Sequence, residues 1–323
     1  MKAMFQDRYG SADVLELRDV NLPEVGDNEV LVRVRAAGVG PEVWHLMTGL
    51  PYAVRLGSGL RRPRHRIPGR DLAGVVEAVG RHVTRFTPGD AVFGTGAGSY
   101  AEYAVVSAKR LAAKPGNLTF ELAAAVPVSG QTALQAVRNT GRVQPGQRVL
   151  VIGAGGGVGT FTVQLAKAFG AHVTGVCSAA KADLVRSIGA DEVIDYTREE
   201  ITDRGQPYDV IIDMAGNRTL SHLRRALTPK GTLVLVGGVA RDGKLLQGFD
   251  RQLRALLLSP FVSQKLAPLM STESTENLEA LTELIDAGKV TPVMGRTYPL
   301  VEVADAIRHI EAGHAQGKTV VTV

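Results

Sequence analysis

The chain has almost no cysteine and no long apolar run, and each shortage excludes a class of protein. Cys177 is the single cysteine among 323 residues, so neither an intramolecular disulfide nor a zinc site built from several thiolates can form. The apolar run at residues 253–262 is interrupted by Arg254 and Pro260 and is too short to span a bilayer. The first residues lack the apolar segment of a signal peptide. We therefore expect a cytoplasmic protein with no membrane partner.

Acidic residues are missing from one stretch, and this local absence accounts for the net charge. The chain has 37 Lys and Arg against 32 Asp and Glu, a formal net charge of +5. Two interpretations of the acid-free stretch stay open: a solvated loop, or a funnel for an acidic substrate whose oxygens guanidinium groups bind in pairs. The stretch contains no interleaved aromatic residues for base stacking, so we expect no nucleic-acid partner. Its basic residues are six arginines: Arg55, Arg61, Arg62, Arg64, Arg66 and Arg70.

The remaining composition is that of a globular chain, with 45% apolar and 21% charged residues. A length of 323 residues predicts about two domains. Up to about residue 125, short alternating runs lie between Gly and Pro turns; in one run Val30, Val32 and Val34 share a face while Arg33 and Arg35 take the other. This alternation predicts a compact, mostly antiparallel β domain.

From about residue 126 the pattern changes to strands that alternate with helices. A continuous apolar strand at residues 148–154 precedes a helix, and further strand–helix pairs continue to the strand at residues 232–238. This rhythm is typical of a doubly wound parallel sheet. The last segment, KTVVTV, is a strand that could rejoin the first domain. We predict a first domain of residues 1–125 and 292–323 and an inserted domain of residues 126–291.

A glycine-rich turn follows the strand at residues 148–154 and predicts a dinucleotide site. The three small residues of the pattern allow a tight turn, close approach of the backbone to a pyrophosphate, and close packing of helix on strand. The amides of the following helix then point at the diphosphate. The expected cofactor-binding residues of this turn are Ala154, Gly156, Gly157, Val158 and Gly159.

The end of the next strand indicates which dinucleotide is bound. An NAD site usually has an acid there to hold the ribose 2′-hydroxyl. From Ala154 to Ala182 this chain has no acid, and the relevant position offers Ser178 and Lys181. A hydroxyl and an ammonium group suit the additional negative charge of a 2′-phosphate. The sequence therefore predicts NADP(H) as the cofactor.

Seven segments spread over nearly the whole length carry a family resemblance: AAGVGPEVWHLMTG, PGRDLAGVVEAVG, TPGDAVFG, SGQTALQAV, GADEVIDY, VLVGG and GKTVVTV. With these segments the chain resembles the medium-chain dehydrogenase/reductase superfamily, and in particular its zinc-free quinone oxidoreductase type. The resemblance implies an α/β fold with a GroES-like β-rich catalytic domain and a Rossmann domain with a doubly wound parallel sheet.

The zinc ligands of the family's zinc-dependent branch are absent from the two segments that would carry them. That branch has a Cys in the first segment and Gly-His-Glu in the second, whereas residues 39–42 read Val-Gly-Pro-Glu and residues 68–71 read Pro-Gly-Arg-Asp. His45, His65 and His82 show no spacing typical of a zinc site. Without a metal, charge must be stabilised by hydrogen-bond donors alone. We therefore expect no metal, and a hydride transfer from NADPH to an activated C=C bond or a quinone.

The resemblance also implies which residues surround the nicotinamide and the substrate. The segment near residue 40 lines the nicotinamide pocket in this group, often with Asn and Asp, but here Gly40 and Val43 stand in those places. The remaining catalytic candidates are His45 and Tyr52 as hydrogen-bond or proton donors and Trp44 as a wall. Further cofactor contacts are implied for Thr132, Ser178, Lys181, Tyr196, Gly238, Val239 and Lys318.

Two alternatives to this function remain, together with structural alternatives for two of the candidate residues. A zinc-independent NADP(H)-dependent reductase of ketones or aldehydes has the same sequence features. His45 could equally form a structural hydrogen bond at a helix start, and Tyr52 could pack at a rim. Some zinc-free relatives are structural or RNA-binding proteins, which would make the basic loop a contact surface.

The expected partners are a small-molecule substrate and a second copy of the chain. The resemblance implies a homodimer in which the Rossmann sheets are joined edge to edge.

Overall fold

A computed structural model describes residues 1–237, 249–313 and 315–323. Its contacts divide the chain into two compact units. The first unit comprises Met1–Gln131, Glu273–Gly288 and Pro292–Val323, and the second comprises Thr132–Thr272 and Lys289–Thr291. The expected positions Gly238 and Val239 lie outside the described residues.

The strands, numbered along the chain, are β1 (Lys2–Phe5), β2 (Glu16–Asp19), β3 (Glu29–Val39), β4 (Asp71–Val79), β5 (Ala91–Thr95), β6 (Tyr103–Ser107), β7 (Leu111–Ala113), β8 (Arg148–Ile152), β9 (His172–Cys177), β10 (Glu192–Asp195), β11 (Tyr208–Asp213), β12 (Leu227–Leu235), β13 (Lys265–Pro268), β14 (Met294–Pro299) and β15 (Lys318–Thr322).

The α-helices are α1 (Pro41–Thr48), α2 (Arg55–Ser58), α3 (Phe120–Ala124), α4 (Pro127–Leu134), α5 (Gly157–Ala168), α6 (Ala182–Ser187), α7 (Leu220–Arg225), α8 (Phe249–Leu258), α9 (Thr275–Asp286) and α10 (Val303–Glu311). A π-helical segment, Gln135–Gly141, continues α4. None of the helices in the described ranges is long and apolar enough to cross a bilayer.

The first unit is a β domain built around the long strand β3. Its main sheet has the order β14-β15-β3-β4-β5-β7, and β6 also pairs with β3. Every pairing in this sheet except β14 with β15 is antiparallel. The alternating face expected for β3 is confirmed, since Val30, Val32 and Val34 are buried in the core while Arg33 and Arg35 are exposed. The C-terminal strand β15 pairs with β3 and thus belongs to the first unit, which the sequence predicted it could rejoin.

The second unit contains a six-stranded parallel sheet in the order β10-β9-β8-β11-β12-β13. Each neighbouring pair runs parallel. Counted from β8, this is the order 3-2-1-4-5-6 of the Rossmann fold. The central strands are buried on both faces, which explains their continuous apolar sequences. The sequence pattern predicted this sheet but gave no sign of β13.

The division into units differs from the expected domain boundaries at α9. The expected second domain included residues 126–291, but residues 126–131 and 273–288 belong to the first unit. The reason is a set of contacts that the sequence pattern does not show. The Thr275 hydroxyl donates to the Leu111 carbonyl oxygen at 3.0 Å, and the Asn117 amide donates to the Ile285 carbonyl oxygen at 3.3 Å. The apolar face of α9 is thereby held against the β domain.

Candidate active site

The glycine-rich turn of the second unit connects β8 to α5. The backbone amides of Gly153 and Ala154 both donate to the Val176 carbonyl oxygen, at 3.1 and 3.0 Å, which holds the turn against β9. A Cβ atom at Gly159 would lie 2.1 Å from the Gly153 carbonyl oxygen, so only glycine lets the helix approach this closely. At Gly156 the nearest atom would be 3.5 Å away. The protein therefore does not require glycine at residue 156 for its own packing, which leaves that position for the approach of a ligand.

Ser178, Lys181 and Tyr196 lie together at the carboxyl ends of β9 and β10. The Tyr196 amide donates to the Cys177 carbonyl oxygen at 3.2 Å, and the Lys181 amide donates to that of Ser178 at 2.9 Å. The Lys181 stem packs against the turn, since a Cβ atom at Gly155 would lie 2.8 Å from its Cδ. Burial lowers the pKa of Lys181. A partly desolvated ammonium group beside the turn favours an anionic ligand.

Two carboxylates of the second unit near these strand ends were missed by the sequence analysis. Asp195 ends β10 and accepts hydrogen bonds from the Thr197 amide and hydroxyl, which lower its pKa. Asp213 ends β11, is completely buried, and pairs with Arg251 at 2.6 Å. It also accepts from the amides of Ala215 and Gly216. The sequence signal for Asp213 was an acid at the end of an apolar strand, followed three residues later by a glycine. In the structure its carboxylate holds the turn that follows β11.

Thr132, the remaining candidate of the second unit, begins that unit. Its hydroxyl donates to the Ser271 hydroxyl at 3.3 Å. The nearby Gln135 amide holds the same segment, through the Ser271 hydroxyl at 3.0 Å and the Thr272 carbonyl oxygen at 2.8 Å. Its contact with a cofactor stays a prediction.

The three catalytic candidates lie on or just after α1 in the first unit. His45 Nδ1 lies 2.8 Å from the Leu50 carbonyl oxygen, so Nδ1 carries the proton and the neutral ring presents Nε2 as an acceptor. The Trp44 indole donates to Glu311 at 3.2 Å, and its ring meets that of His45 edge to face at 5.0 Å. Tyr52 is 44% exposed and lies under the Arg55 guanidinium at 4.7 Å. His45 therefore forms a structural hydrogen bond, at the end of α1 and not at a helix start as expected, and the catalytic roles stay predictions.

A cavity of about 320 Å³ lies beside the opposite face of α1, within the first unit. Val43, Leu46 and Met47 contribute to its wall, whereas Trp44, His45 and Tyr52 do not. Helical spacing explains this division, since residues three and four apart share a face. Among the polar residues that line the cavity are Gln6, Ser58, His65, Arg70 and Arg110.

Lys318 is buried in the first unit between two carboxylates. Its Nζ lies 2.6 Å from Asp71 Oδ2 and 3.9 Å from Glu42 Oε1. It also donates to the Ser129 hydroxyl at 3.3 Å. Lys318 is 3% exposed and Asp71 is completely buried. Burial opposes the charge of Lys318, but Asp71 and Glu42 outweigh it and keep its pKa raised.

Glu42 is the second carboxylate of this group, and the sequence analysis did not select it. Its side chain is 27% exposed, but its Oε1 is buried without a hydrogen-bond partner in the described part of the chain. Burial raises the pKa of Glu42, and the Lys318 ammonium offsets only part of this effect. One cation therefore faces two acids. The contact of Lys318 with a cofactor stays a prediction, and its established partner is Asp71.

The two residues that stand where the zinc-dependent branch has His-Glu are both engaged in ion pairs. Arg70 pairs with Glu273, and Asp71 pairs with Lys318 and accepts a hydrogen bond from the Val128 amide at 2.7 Å. No group of three His, Cys, Asp or Glu side chains arranged to hold a metal occurs in the described ranges.

Comparisons with known proteins agree with this architecture. Residues 26–116 match the alcohol dehydrogenase GroES-like domain, and residues 188–321 match the zinc-binding dehydrogenase family. The mouse mitochondrial NAD(P)H oxidoreductase RTN4IP1 is 37% identical, over 100% of this chain and 89% of the relative. The chloroplastic NADPH-dependent alkenal/one oxidoreductase of Arabidopsis thaliana is 34% identical, over 99% of this chain and 79% of that protein. The crystal structure of Escherichia coli quinone oxidoreductase complexed with NADPH superposes with a TM-score of 0.83 at 25% identity, and 100% of each chain is covered.

A GroES-like β domain combined with a Rossmann domain defines the two-domain dehydrogenases, which are oxidoreductases. More particularly, this chain belongs to the medium-chain dehydrogenase/reductase superfamily and, within it, to the quinone oxidoreductase-like group. The expected family and fold class are confirmed.

Proposed function

We propose that the protein transfers hydride from NADPH to an activated C=C bond or a quinone, without a catalytic metal. The observation that carries the proposal is the glycine turn at the end of β8, with Ser178 and Lys181 beside it and no acid at the end of β9. Its relatives include an NADPH-dependent alkenal/one oxidoreductase and a quinone oxidoreductase complexed with NADPH. An oxidoreductase with this site is expected to use the same cofactor.

The residues of the second unit fit NADP(H). The open position at Gly156 lets the turn amides approach a pyrophosphate. Ser178 and Lys181 provide a hydroxyl and a cation for the 2′-phosphate, and Tyr196 lies on the next strand end with 49% of its surface exposed. When bound, the cofactor supplies the hydride. The chain's own residues bind it through these polar groups and the turn backbone.

The residues at the ligand positions support the proposed metal independence. Gly40 has no side chain to offer, Arg70 is a cation, and Asp71 is held by Lys318. A reductase without a Lewis acid is suited to substrates that spread the developing negative charge over an enolate or a quinol, because hydrogen-bond donors then suffice. A simple ketone concentrates that charge on one oxygen.

Tyr52 and His45 are the proposed partners of the substrate oxygen. The Tyr52 phenol can donate a hydrogen bond to the developing enolate, and Arg55 stacked on its ring restrains the side chain. Neutral His45 has its Nδ1 proton committed to Leu50, so it must be the imidazolium to donate from Nε2. Trp44, fixed by Glu311, is the proposed wall. The proton donor is therefore expected to be Tyr52, or His45 in its imidazolium form.

The test is NADPH oxidation with three substrate classes: a conjugated enone, a quinone and a saturated ketone. We expect turnover of the first two, no loss after treatment with a chelator, and no stoichiometric zinc by metal analysis. Comparable turnover of the saturated ketone would instead indicate a ketone or aldehyde reductase. Binding of NADPH without oxidation by any substrate would indicate a structural or binding protein.

We also propose a homodimer formed through the second unit. β13 ends the parallel sheet, and no strand of the described ranges pairs with its outer edge. Beside it, Leu253, Leu256, Leu257 and Phe261 are between 56% and 84% exposed. An unpaired edge next to exposed apolar side chains is a typical association surface. Leu256→Asp should convert a dimer to a monomer in sedimentation, and a wild-type monomer would contradict the proposal.

For the compartment, we propose the cytoplasm, because the one thiol, Cys177, is buried and unpaired. The two named relatives carry organellar labels, mitochondrial and chloroplastic. Fractionation of cells that express the full-length protein tests the proposal, and recovery in an organelle would contradict it.

A further inference from the structure

The turn that follows β11, residues 213–216, lies where the strand order of the parallel sheet reverses. β8 pairs with β9 on one side and with β11 on the other, so the chain returns across the sheet at this point. In an open α/β sheet, ligands bind outside the carboxyl ends of the strands at such a reversal. The glycine-rich turn follows β8, and the turn of residues 213–216 follows β11. Both turns therefore border the place where a dinucleotide is expected.

The two turns are in direct contact. The Met214 amide donates to the Ile152 carbonyl oxygen at 3.1 Å, immediately before the glycine-rich turn begins. A Cβ atom at Gly153 would lie 3.5 Å from Met214 Cβ and 3.7 Å from the Ala215 nitrogen, which are ordinary van der Waals distances. Packed protein interiors transmit displacements because they are hard to compress. The position of the turn after β11 therefore affects the path of the glycine-rich turn.

Asp213 fixes the turn after β11 from inside the protein. Its Oδ1 accepts from the Ala215 and Gly216 amides at 3.0 and 3.1 Å. Its Oδ2 accepts from Arg251 Nη2 at 2.6 Å. Asp213 is completely buried, and a buried charge is stable only when it is paired and hydrogen-bonded. One carboxylate oxygen thus binds the turn, and the other binds the arginine.

Arg251 holds both ends of the segment that contains this turn. It lies on α8, and only 12% of its side chain is exposed. Nη2 binds Asp213 at the start of the segment, and Nη1 donates to the Arg218 carbonyl oxygen at 3.0 Å at its end. A planar guanidinium binds two acceptors in a fixed geometry, whereas a lysine ammonium is a point charge. Because both terminal nitrogens are engaged inside the protein, Arg251 is suited to hold this segment rather than to contact a cofactor.

We propose that Arg251 is a positioning residue of the cofactor site, which acts on the glycine-rich turn through Asp213 and the turn after β11. Its two contacts keep the glycine-rich turn in the conformation in which the turn amides can receive a pyrophosphate. The guanidinium also balances the charge of Asp213 near the place where an anionic ligand is expected. The proposal rests on the proposed function in one respect, since it takes the glycine-rich turn as the dinucleotide site.

The test is the dissociation constant of NADPH and that of NADH, measured by fluorescence titration at a temperature where circular dichroism shows each variant to be folded. In Arg251→Gln both constants should rise by about tenfold, as expected for the loss of hydrogen bonds to a charged partner. The two factors should be equal, because both cofactors carry the pyrophosphate. A rise confined to NADPH would mean that Arg251 recognises the 2′-phosphate, and it would overturn the proposal.

Two control variants separate positioning from the effects of charge and of stability. Arg254→Gln removes a charge from α8 at a side chain that is 76% exposed, and it should change neither dissociation constant. Leu266→Ala truncates a buried side chain of β13 and should lower the melting temperature while both constants stay unchanged. Wild-type constants in folded Arg251→Gln, or an equal rise in Leu266→Ala, would leave Arg251 a purely structural role and overturn the proposal.

Arg251→Lys decides the question if Arg251→Gln does not fold. The lysine keeps a positive charge opposite Asp213 but gives up the paired contact with two acceptors. Both dissociation constants should then rise by about threefold, less than in Arg251→Gln, because only the fixed geometry is lost. Wild-type constants in Arg251→Lys would overturn the proposal.

The binding test is independent of turnover. A wild-type protein that binds NADPH but oxidises it with no substrate would fail the proposed function and still allow the comparison of the Arg251 variants. A wild-type protein that binds neither dinucleotide would refute both proposals.

Discussion

The two units form their functional surfaces in opposite ways. In the second unit, one continuous stretch, residues 153–159, forms the glycine-rich turn of the proposed dinucleotide site, and its backbone amides and small residues are the parts that the proposal uses. In the first unit, the buried ion pair joins Lys318 near the C-terminus to Asp71, and the cavity draws Gln6 and Arg110 from distant segments. A backbone site is encoded locally, whereas a side-chain site depends on which distant segments the fold brings together.

The largest expected effect is the loss of stability when the buried ion pair of the first unit is broken. Lys318→Met leaves Asp71 buried without its cation, which should lower the free energy of unfolding by about 3–5 kcal/mol in urea denaturation. The control is Arg81→Gln at the exposed pair with Asp27, where the change should be below about 1 kcal/mol. The double variant Lys318→Met with Asp71→Asn should recover part of the loss, because the completely buried charge of Asp71 is removed together with its partner. Equal losses in Lys318→Met and Arg81→Gln would mean that the pair is not effectively desolvated.

The next largest effects concern two glycines of the turn. Stability and NADPH binding of their alanine variants distinguish a glycine needed for packing from one needed for the approach of a ligand. Gly159→Ala places Cβ against the Gly153 carbonyl oxygen, so it should cost about 1–3 kcal/mol of stability and also abolish NADPH binding. Gly156→Ala should keep stability within about 1 kcal/mol, as expected for a helix N-cap, and still weaken NADPH binding. Gly116→Ala, where no atom lies within 4 Å, should change neither property. Thermal unfolding and NADPH titration measure both, and normal NADPH binding by Gly156→Ala would remove this turn from the cofactor site.

A smaller effect is expected on the KM for NADPH relative to that for NADH, which reports the choice of cofactor. Replacing Ser178 and Lys181 together by Ala removes hydrogen bonds to a charged group, typically worth about 1.5–3 kcal/mol in total. The KM for NADPH should rise at least about tenfold and that for NADH should stay nearly constant. Lys230→Ala, an exposed lysine of β12, is the control and should change neither constant. Equal rises with both cofactors would show that these residues do not recognise the 2′-phosphate.

The smallest effect is a pH dependence of stability caused by Glu42. Burial raises the pKa of this carboxyl, so its favourable contribution is complete below the ordinary pKa of a glutamic acid and is lost as the pH rises through the raised value. Glu42→Gln should therefore become more stable relative to the wild type as the pH increases through this range. The exposed Glu302→Gln should follow the wild-type profile. Parallel profiles for Glu42→Gln and the wild type would show that Glu42 ionises like a solvated acid.

Much of the fold was predictable because its signals are periodic. The alternation in β3 and the apolar strands β8, β9, β11 and β12 appear at the predicted places. The short edge strand β13 was missed, because Lys265–Pro268 has neither an apolar run nor a clear alternation. α9 was placed in the wrong unit because its amphipathic pattern specifies a buried face but not the surface on which that face is buried.

The candidate site was predictable only where the chemistry lies in consecutive residues. The glycine turn and the Ser178–Lys181 segment were found in this way, and the structure places them side by side. Glu42 was passed over because a single acid at a helix start is usually solvated, and nothing local shows that Lys318 and Asp71 lie beneath it. Arg110 and Gln6 gave no signal at all.

The sequence by itself determined the two-domain class, the glycine-rich turn, and the absence from residues 39–42 and 68–71 of the Cys and the Gly-His-Glu of the zinc-dependent branch. These properties depend on residue type and on spacing along the chain, because glycines permit a local backbone path and folding does not change which side chain stands at a given position. Only the tertiary structure decided which charges are buried, which arginines face a cavity and which face solvent. Burial and pairing depend on the distances between residues that are remote in the sequence, and those distances exist only once the chain is folded.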